Sequence, residues 1–295
     1  MGGAALLLAA TDALPLRAMQ WLKVDGGPDA MVAAVNYDPG VCLAANASQN
    51  ALTGEILFRT PSLLGGQAAK AGLSCASCHV NGGDNPNFHF PNASGAPGTA
   101  DVSNSFFSAT GGNGTFDPVS IPNLAEPGKV SRADPGELEA FLKTLIVVEF
   151  AGEEPHPAAL SALADYIRAL RSCEVQGESG RSLAGDLALV ERAALMAERR
   201  MAERDEDMAR LLVAGARDTL GRIYERFAGD DLRKERNSIE HSSITLHAAS
   251  RETGSSNRIA SFAVWRETFH GLRQILQRRE DESLYNVQRL RERLE

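Results

Sequence analysis

Five consecutive residues constrain this chain more than any others: Cys75-Ala76-Ser77-Cys78-His79. Two cysteines three apart on a helical turn present both thiols on one side, and an imidazole follows directly. This spacing is that of a c-type haem attachment site. Each thiol would add to one vinyl group of the porphyrin, and the histidine would ligate the iron from below, a proximal role it fills in many haem proteins. The other uses of such a cysteine pair need a different context. A structural zinc site needs a second pair of ligands, and the chain has no second CxxC. A thioredoxin-like redox pair needs a βαβ setting, which the Gly-, Asn- and Pro-rich run after His79 does not offer.

A ring of that size needs a domain around it. With 295 residues, 43% of them hydrophobic, the chain has material for one large or two ordinary domains. Charge divides it unevenly. Residues 1–180 carry nine basic and eighteen acidic side chains, and residues 181–295 carry twenty-one and twenty. The acidic first part argues against nucleic-acid binding there. The balanced second part reads as a solvated helical surface.

Two cysteines remain, Cys42 and Cys173, which flank the haem segment. Haem c is attached outside the inner membrane, where disulfides persist. A Cys42–Cys173 bridge tying the start of the haem domain to its end is therefore expected, against the alternative of two separate thiols. Ala4 to Ala10 resemble the apolar core of a signal peptide without the positive region that should precede it. Asp12 and Arg17 end the run too early for a transmembrane helix, which needs about 20 apolar residues. Either the start is truncated or this is a short helix, so a periplasmic location is inferred from the haem motif. No other run is long enough to span a bilayer.

Periodicity supplies the coarse architecture. Residues 20–50 read as irregular, with turn signals at Gly26-Gly27-Pro28 and Asp38-Pro39-Gly40. A helix begins near Ala51 and closes at Pro61. Residues 81–118 form a long loop, unusual unless functional, and suited to wrapping the porphyrin edge. A helix fits Pro135 to about Val148, with Leu138, Phe141, Leu142 and Leu145 on one face. Another starts at Pro157 and ends before Cys173. Gly177 to Ser182 reads as a linker.

After the linker, a 4-3 apolar stripe runs from Leu183 through Leu187, Val190, Ala194, Ala197, Met201, Met208, Leu211 and Gly215. It shifts by one residue and continues through Leu212, Ala216, Leu220, Ile223 and Phe227. The pattern predicts one long amphipathic helix broken at Gly229, with Arg204 its one polar interruption. A shorter helix follows over 233–250 and a final one over 258–294. The tail is expected to form a helical bundle or an antiparallel coiled-coil hairpin, burying its stripe within itself or against a second copy.

Residues 51–173 resemble a class I cytochrome c domain. Gly54-Glu55-Ile56-Leu57-Phe58 is similar to that family's N-terminal helix. Leu163-Ala164-Asp165-Tyr166-Ile167 is similar to the C-terminal helix that crosses it. Gly72 to His79 and Ile121-Pro122-Asn123-Leu124 are most similar to the bacterial di-haem cytochrome c peroxidase group, although this chain has one haem motif. The resemblance implies a mainly α, cytochrome c-like haem domain with long loops.

Electron-transfer members of the family supply a methionine as sixth iron ligand, yet no methionine lies between Met31 and Met196. His89 and, second to it, His156 are the candidate distal ligands, beside the alternative of no protein ligand. The expected organisation is an N-terminal extension over 1–35, a haem domain over 36–176 and an α-helical interaction domain over 181–295. The expected function is an exported mono-haem cytochrome that passes single electrons to a redox partner protein, with homodimerisation through the tail. The alternative is a peroxidase-like haem enzyme or diatomic-gas sensor with an open distal site.

Overall fold

The structure is a computed structural model, and it describes residues 15–103, 107–108, 110–126, 134, 136–174 and 181–295. The readings at Ala4–Ala10, at Pro135 and at Gly177–Gly180 lie outside these residues. The described chain is mainly helical.

The first region is built from short elements. The segment read as irregular contains a helix, α1 (Gly27–Val35). Pro28 sits in its first turn, where a missing N–H costs nothing, and Asp29 faces its positive end. A turn signal and a helix start use the same residues here, which is why the helix was not expected. Strand β1 (Val41–Leu43) follows, then α2 (Gln49–Phe58), whose Ser48 side chain caps it by accepting from the Ala51 N–H at 3.0 Å. Next come α3 (Gly66–Lys70) and α4 (Cys75–Cys78). The long loop is largely irregular, as expected. Strand β2 (Thr99–Ala100), midway along it, pairs antiparallel with β3 (Val119–Ser120) just past its end.

Helix α5 (Glu137–Thr144) runs into a single π-turn over Leu145–Glu149. Leu138 and Leu142 are buried, but Phe141, expected on the same face, is 55% exposed. It lies about 60° around the helix from Leu138, at the edge of a stripe too short to cover it. Helix α6 (Pro157–Ala169) and strand β4 (Leu170–Ser172) close the region, with β4 antiparallel to β1.

Helices α2 and α6 cross at closest approach on Gly54. A Cβ there would stand 2.0 Å from the Ala162 carbonyl oxygen, so only glycine lets these backbones meet. The crossing buries Leu57, Phe58, Leu163, Tyr166 and Ile167 in one apolar core with Leu64, Leu73, Phe88 and Phe90.

The tail departs from expectation at two points, each a break in an expected helix. The long helix is two: α7 (Leu183–Ala202) and α8 (Glu206–Arg226). Between them Arg204 takes φ 63, and Asp205 caps α8 by accepting from the Met208 N–H. Asp205, Glu206 and Asp207 together favour a helix start, and this local signal overrides the continuing stripe. Helices α9 (Arg233–Arg251) and α10 (Ser255–Arg278) follow. The final helix is also divided: the chain turns at Ser283 to Asn286 before α11 (Val287–Leu294). There Leu284 and Tyr285 are buried, and the Leu284 N–H donates to the Arg226 carbonyl at 2.7 Å, which folds the turn back onto α8. Helices α7 to α10 form a ring, each packed on its sequence neighbour and α10 on α7.

The two regions share a seam. Helix α2 meets α6 on one side and α7 and α8 on another. Ile56 belongs to the tail's core, and Met208 to the core of the first region. A Cβ on Gly215 would stand 2.6 Å from Thr60 Oγ1 and 2.7 Å from Ile56 Cγ2. The expectation that the tail stripe is buried only within itself or on a second copy is therefore corrected: part of it covers α2. Near the ends of the chain, Leu16, Met19, Val32 and Val35 pack with Leu284 and Leu290. Among the described residues, no helix is long and apolar enough to cross a membrane.

Candidate haem-attachment site

The site starts from the backbone of a single turn. Ser74 and Ser77 form a reciprocal capping box around α4, with the Ser77 Oγ accepting from the Ser74 N–H at 3.0 Å. This fixes a helix otherwise too short to persist. Cys75 and Cys78 thereby present both thiols on one side, half-buried against the apolar core. Burial pushes each thiol up to about 12. A redox-active CxxC needs the opposite, a thiol lowered toward neutrality by nearby positive charge.

His79 ends the turn, and its ring is held by backbone. Nδ1 lies 3.0 Å from the Pro122 carbonyl oxygen and 3.3 Å from that of Gly83. Carbonyls only accept, so Nδ1 carries the proton and Nε2 keeps its lone pair. Burial lowers the His79 pKa, against the opposing pull of the two carbonyls, which favours the neutral form. A neutral imidazole with a carbonyl-anchored Nδ1–H is the second-shell arrangement of a metal-ligating histidine.

Pro122 is brought there by the long loop. The Leu124 N–H donates to the Gly82 carbonyl at 2.9 Å, and the Gly82 N–H donates to that of His79 at 3.1 Å. The Asn85 side chain donates to the Ser77 carbonyl at 3.0 Å, and Arg59 to Asn81 at 2.8 Å. Phe58 stands with its ring centroid 6.4 Å from that of His79 and 4.9 Å from that of Tyr166. The crossing of α2 and α6 thus supplies the aromatic wall beside the histidine. A second chain of rings runs from Trp21 to Phe90, Phe107 and Phe150.

The candidate distal histidines lie between Phe88 and Phe90 and at the start of α6. Phe88 forms an antiparallel bridge to Leu22, and the His89 N–H donates to the Trp21 carbonyl at 2.9 Å. Phe88 and Phe90 are buried, and His89 between them is half-buried. His156 is exposed and caps α6, its Nδ1 accepting from the Ala158 N–H at 3.2 Å. In the tail, the Met196 sulfur lies 3.4 Å from the Thr53 hydroxyl, and Met201 and Met208 are buried in the cores.

The expected Cys42–Cys173 bridge is not formed: both are free thiols. They are nevertheless neighbours. Cys42 pairs with Arg171 across β1 and β4, and the Cys173 N–H donates to the Gly40 carbonyl at 2.8 Å. The cysteines are diagonal on one face, close enough to interact but not directly opposite. The Cys173 thiol is raised to about 11, first by lost solvation and next by a hydrogen bond with Cys42.

The residues fit a haem: two thiols on one turn, a neutral imidazole with a free Nε2, and an apolar aromatic surround. Among the described residues no three or more His, Cys, Asp or Glu converge into a metal-holding cluster, these three included, so a four-ligand structural zinc site does not fit. Comparison of the chain with protein-family models, with curated proteins and with solved structures finds no match. What sequence reasoning missed here is the carbonyl pair of Gly83 and Pro122, although Ile121-Pro122-Asn123-Leu124 had been singled out.

Proposed function

We propose that this chain is a mono-haem c-type cytochrome that carries single electrons. The observation that supports it most is the anchoring of His79 Nδ1 on Pro122, beside two thiols on the same turn. When bound, the haem would supply a one-electron couple between Fe(III) and Fe(II). Cys75 and Cys78 tether it, and the Pro122 and Gly83 carbonyls orient the imidazole and raise the basicity of Nε2. Phe58 and Tyr166 exclude water from that side, which tunes the potential through the local dielectric.

The crossing at Gly54, the haem motif and the Tyr166 helix also support a likeness to class I cytochromes c, with the ring of four tail helices as an added bundle for a partner protein or a second copy. Haem attachment of this kind would take place outside the inner membrane, and this supports a periplasmic location. A second reading, an enzyme or gas sensor with an open iron face, is favoured by the capping role of His156.

The deciding experiment is expression with haem-attachment machinery. Denatured protein should keep its haem on a gel and through acid–acetone extraction, and loss of colour would overturn the assignment. Of the two readings, a six-coordinate low-spin ferric spectrum fits the carrier. A high-spin spectrum that shifts with cyanide or carbon monoxide fits the open site.

A further inference from the structure

Residues 81–83 decide what faces the His79 ring. The Gly83 carbonyl lies 3.3 Å from Nδ1. The Gly82 carbonyl accepts from the Leu124 N–H at 2.9 Å, which brings the Pro122 carbonyl to 3.0 Å from the same nitrogen. The turn closes on itself, with the Gly82 N–H on the His79 carbonyl and the Gly83 N–H on that of Val80. Asn81 takes φ 52 and ψ 21 within it. Asparagine tolerates this left-handed conformation better than most residues, but only glycine adopts it freely. A side-chain anchor on Asn81 therefore adds to what keeps the turn in shape.

The anchor comes from α2. Arg59, the residue that closes this helix, donates through Nη2 to Asn81 Oδ1 at 2.8 Å. Its side chain is 16% exposed, so the bond is largely shielded from water. One turn earlier on the same helix face, Glu55 stands 3.8 Å from that same Nη2. The other oxygen of Glu55 accepts from Arg192 of α7 at 2.6 Å. Arg192, Glu55, Arg59 and Asn81 thus stand in line, from the tail to the turn that follows the haem motif. Arg192 fixes the Glu55 carboxylate, and the carboxylate attracts the Arg59 head toward the place from which it reaches Asn81.

We propose that Arg59 is a positioning residue for the proximal histidine and that Arg192 of the tail sets Arg59 in place. The proposal rests on the haem reading above. Arg59 acts through Asn81, and Arg192 through Glu55. When the line is loosened, the turn over 81–83 drifts and its carbonyls meet Nδ1 less squarely. The Nδ1–H bond weakens, Nε2 becomes less basic, and the ferric state of a bound haem loses stabilisation. The tail then helps to set the potential without supplying an iron ligand.

The test is amide hydrogen exchange of the full chain, read at Gly82 and Leu124, together with the reduction potential of the haem-loaded chain. Arg59→Gln should speed exchange of both amides about tenfold or more, because a hydrogen bond from a charged group is lost. Arg192→Gln should speed it severalfold, and both variants should raise the potential. Arg273→Gln removes a different ion pair of α7, with Glu191 at 2.9 Å, and should change neither reading. Asn81→Gly keeps the left-handed turn without its anchor, so in that background Arg192→Gln should have no further effect on exchange. This pair of variants leaves Arg59 in place and decides the matter even where Arg59→Gln does not fold. Unchanged exchange in Arg192→Gln would overturn the proposal. So would an equal effect in Arg273→Gln, or an effect of Arg192→Gln that survives in Asn81→Gly. A potential unmoved by Arg192→Gln would overturn the link to the iron. Exchange is read with or without haem, so failure of the functional reading, seen as loss of haem on the gel, is distinguishable from failure here.

Discussion

The haem-motif region and the helical tail solve the same problem, burying apolar surface, by different means. Among the described residues, twelve glycines before residue 137 have positive φ, but only Gly229 and Gly254 do in the tail. The first region depends on close backbone approaches, as at Gly54, and on carbonyls aimed by loops, as at Pro122. The tail depends on side chains, with Trp265 stacked on Phe269 at 4.8 Å and Leu187, Leu212, Leu220 and Leu246 fully buried. Geometry in the first region is specified residue by residue, which suits a site that must hold one imidazole in one orientation. In the tail it is specified by a repeating pattern, which suits helices packed side by side.

The contrast can be broken most forcefully by adding a constraint to the first region. Mild oxidation should join Cys42 to Cys173, because the thiols already interact. Closing a loop of about 130 residues would stabilise the region by about 4–5 kcal/mol in the chain-entropy model, less if the diagonal geometry strains. Alkylation of the unfolded, non-reduced protein, counted by mass spectrometry, should then find no free thiol at either position. Two alkylated cysteines after oxidation would reject the link.

Deleting a ring from the tail is the next largest change. Trp265 is buried, and its Nε1 donates to the Ser242 carbonyl at 2.9 Å. Trp265→Ala should cost about 3–5 kcal/mol in denaturant unfolding. If the tail takes no part in iron ligation, the haem spectrum of the folded fraction should not move. A shifted Soret band would mean that the two regions are coupled through the iron, and that the contrast is wrong.

A single methyl group should matter more in the first region than its size suggests. Gly54→Ala places a Cβ against the Ala162 carbonyl, and backbone cannot rotate out of the way. The expected cost is about 3 kcal/mol, with a changed spectrum as Phe58 and Tyr166 separate. Gly215→Ala meets side-chain atoms of Ile56 and Thr60, which can shift in part, so it should cost less and leave the spectrum alone. Equal costs would show that the seam on α2 is as rigid as its crossing with α6.

The two regions were not equally legible. Helices α2 and α6 could be read from their periodicity and prolines, and α9 almost to its ends. The candidate attachment residues stand out in the sequence because the covalent chemistry proposed for them would fix their spacing. Helix α1 was hidden because Gly26-Gly27-Pro28 reads equally well as a turn. The break at Arg204 was hidden because a 4-3 stripe spans two antiparallel helices as readily as one, and only the acidic cap at Asp205 tells them apart. The Pro122 carbonyl was out of reach altogether: forty-three residues separate it from His79, and a backbone acceptor has no sequence signature.

The smallest effect concerns an ion pair that ties α5 to α6. Arg168 donates to Glu139 through Nη1 at 2.9 Å and Nη2 at 3.1 Å. The hydrogen bond with Arg168 is the main reason that the Glu139 carboxyl falls from its ordinary 4.5 to about 2, and burial opposes it. A folded pKa below the unfolded one means that the folded state holds its proton less tightly. The stabilisation is therefore complete above about pH 4.5 and is lost as pH falls toward 2. About a quarter of each side chain remains exposed, so solvent screening reduces the contribution to about 1 kcal/mol. Glu139→Gln should lower stability by that amount at pH 7 and by almost nothing at pH 2, measured by urea unfolding at both. The tail's exposed Arg233–Asp230 pair is the control, and Asp230→Asn should leave stability unchanged at either pH. A Glu139→Gln cost that persists undiminished at pH 2 would show that the side chain acts through packing on α6, and that the first region relies on shape even where it displays charge.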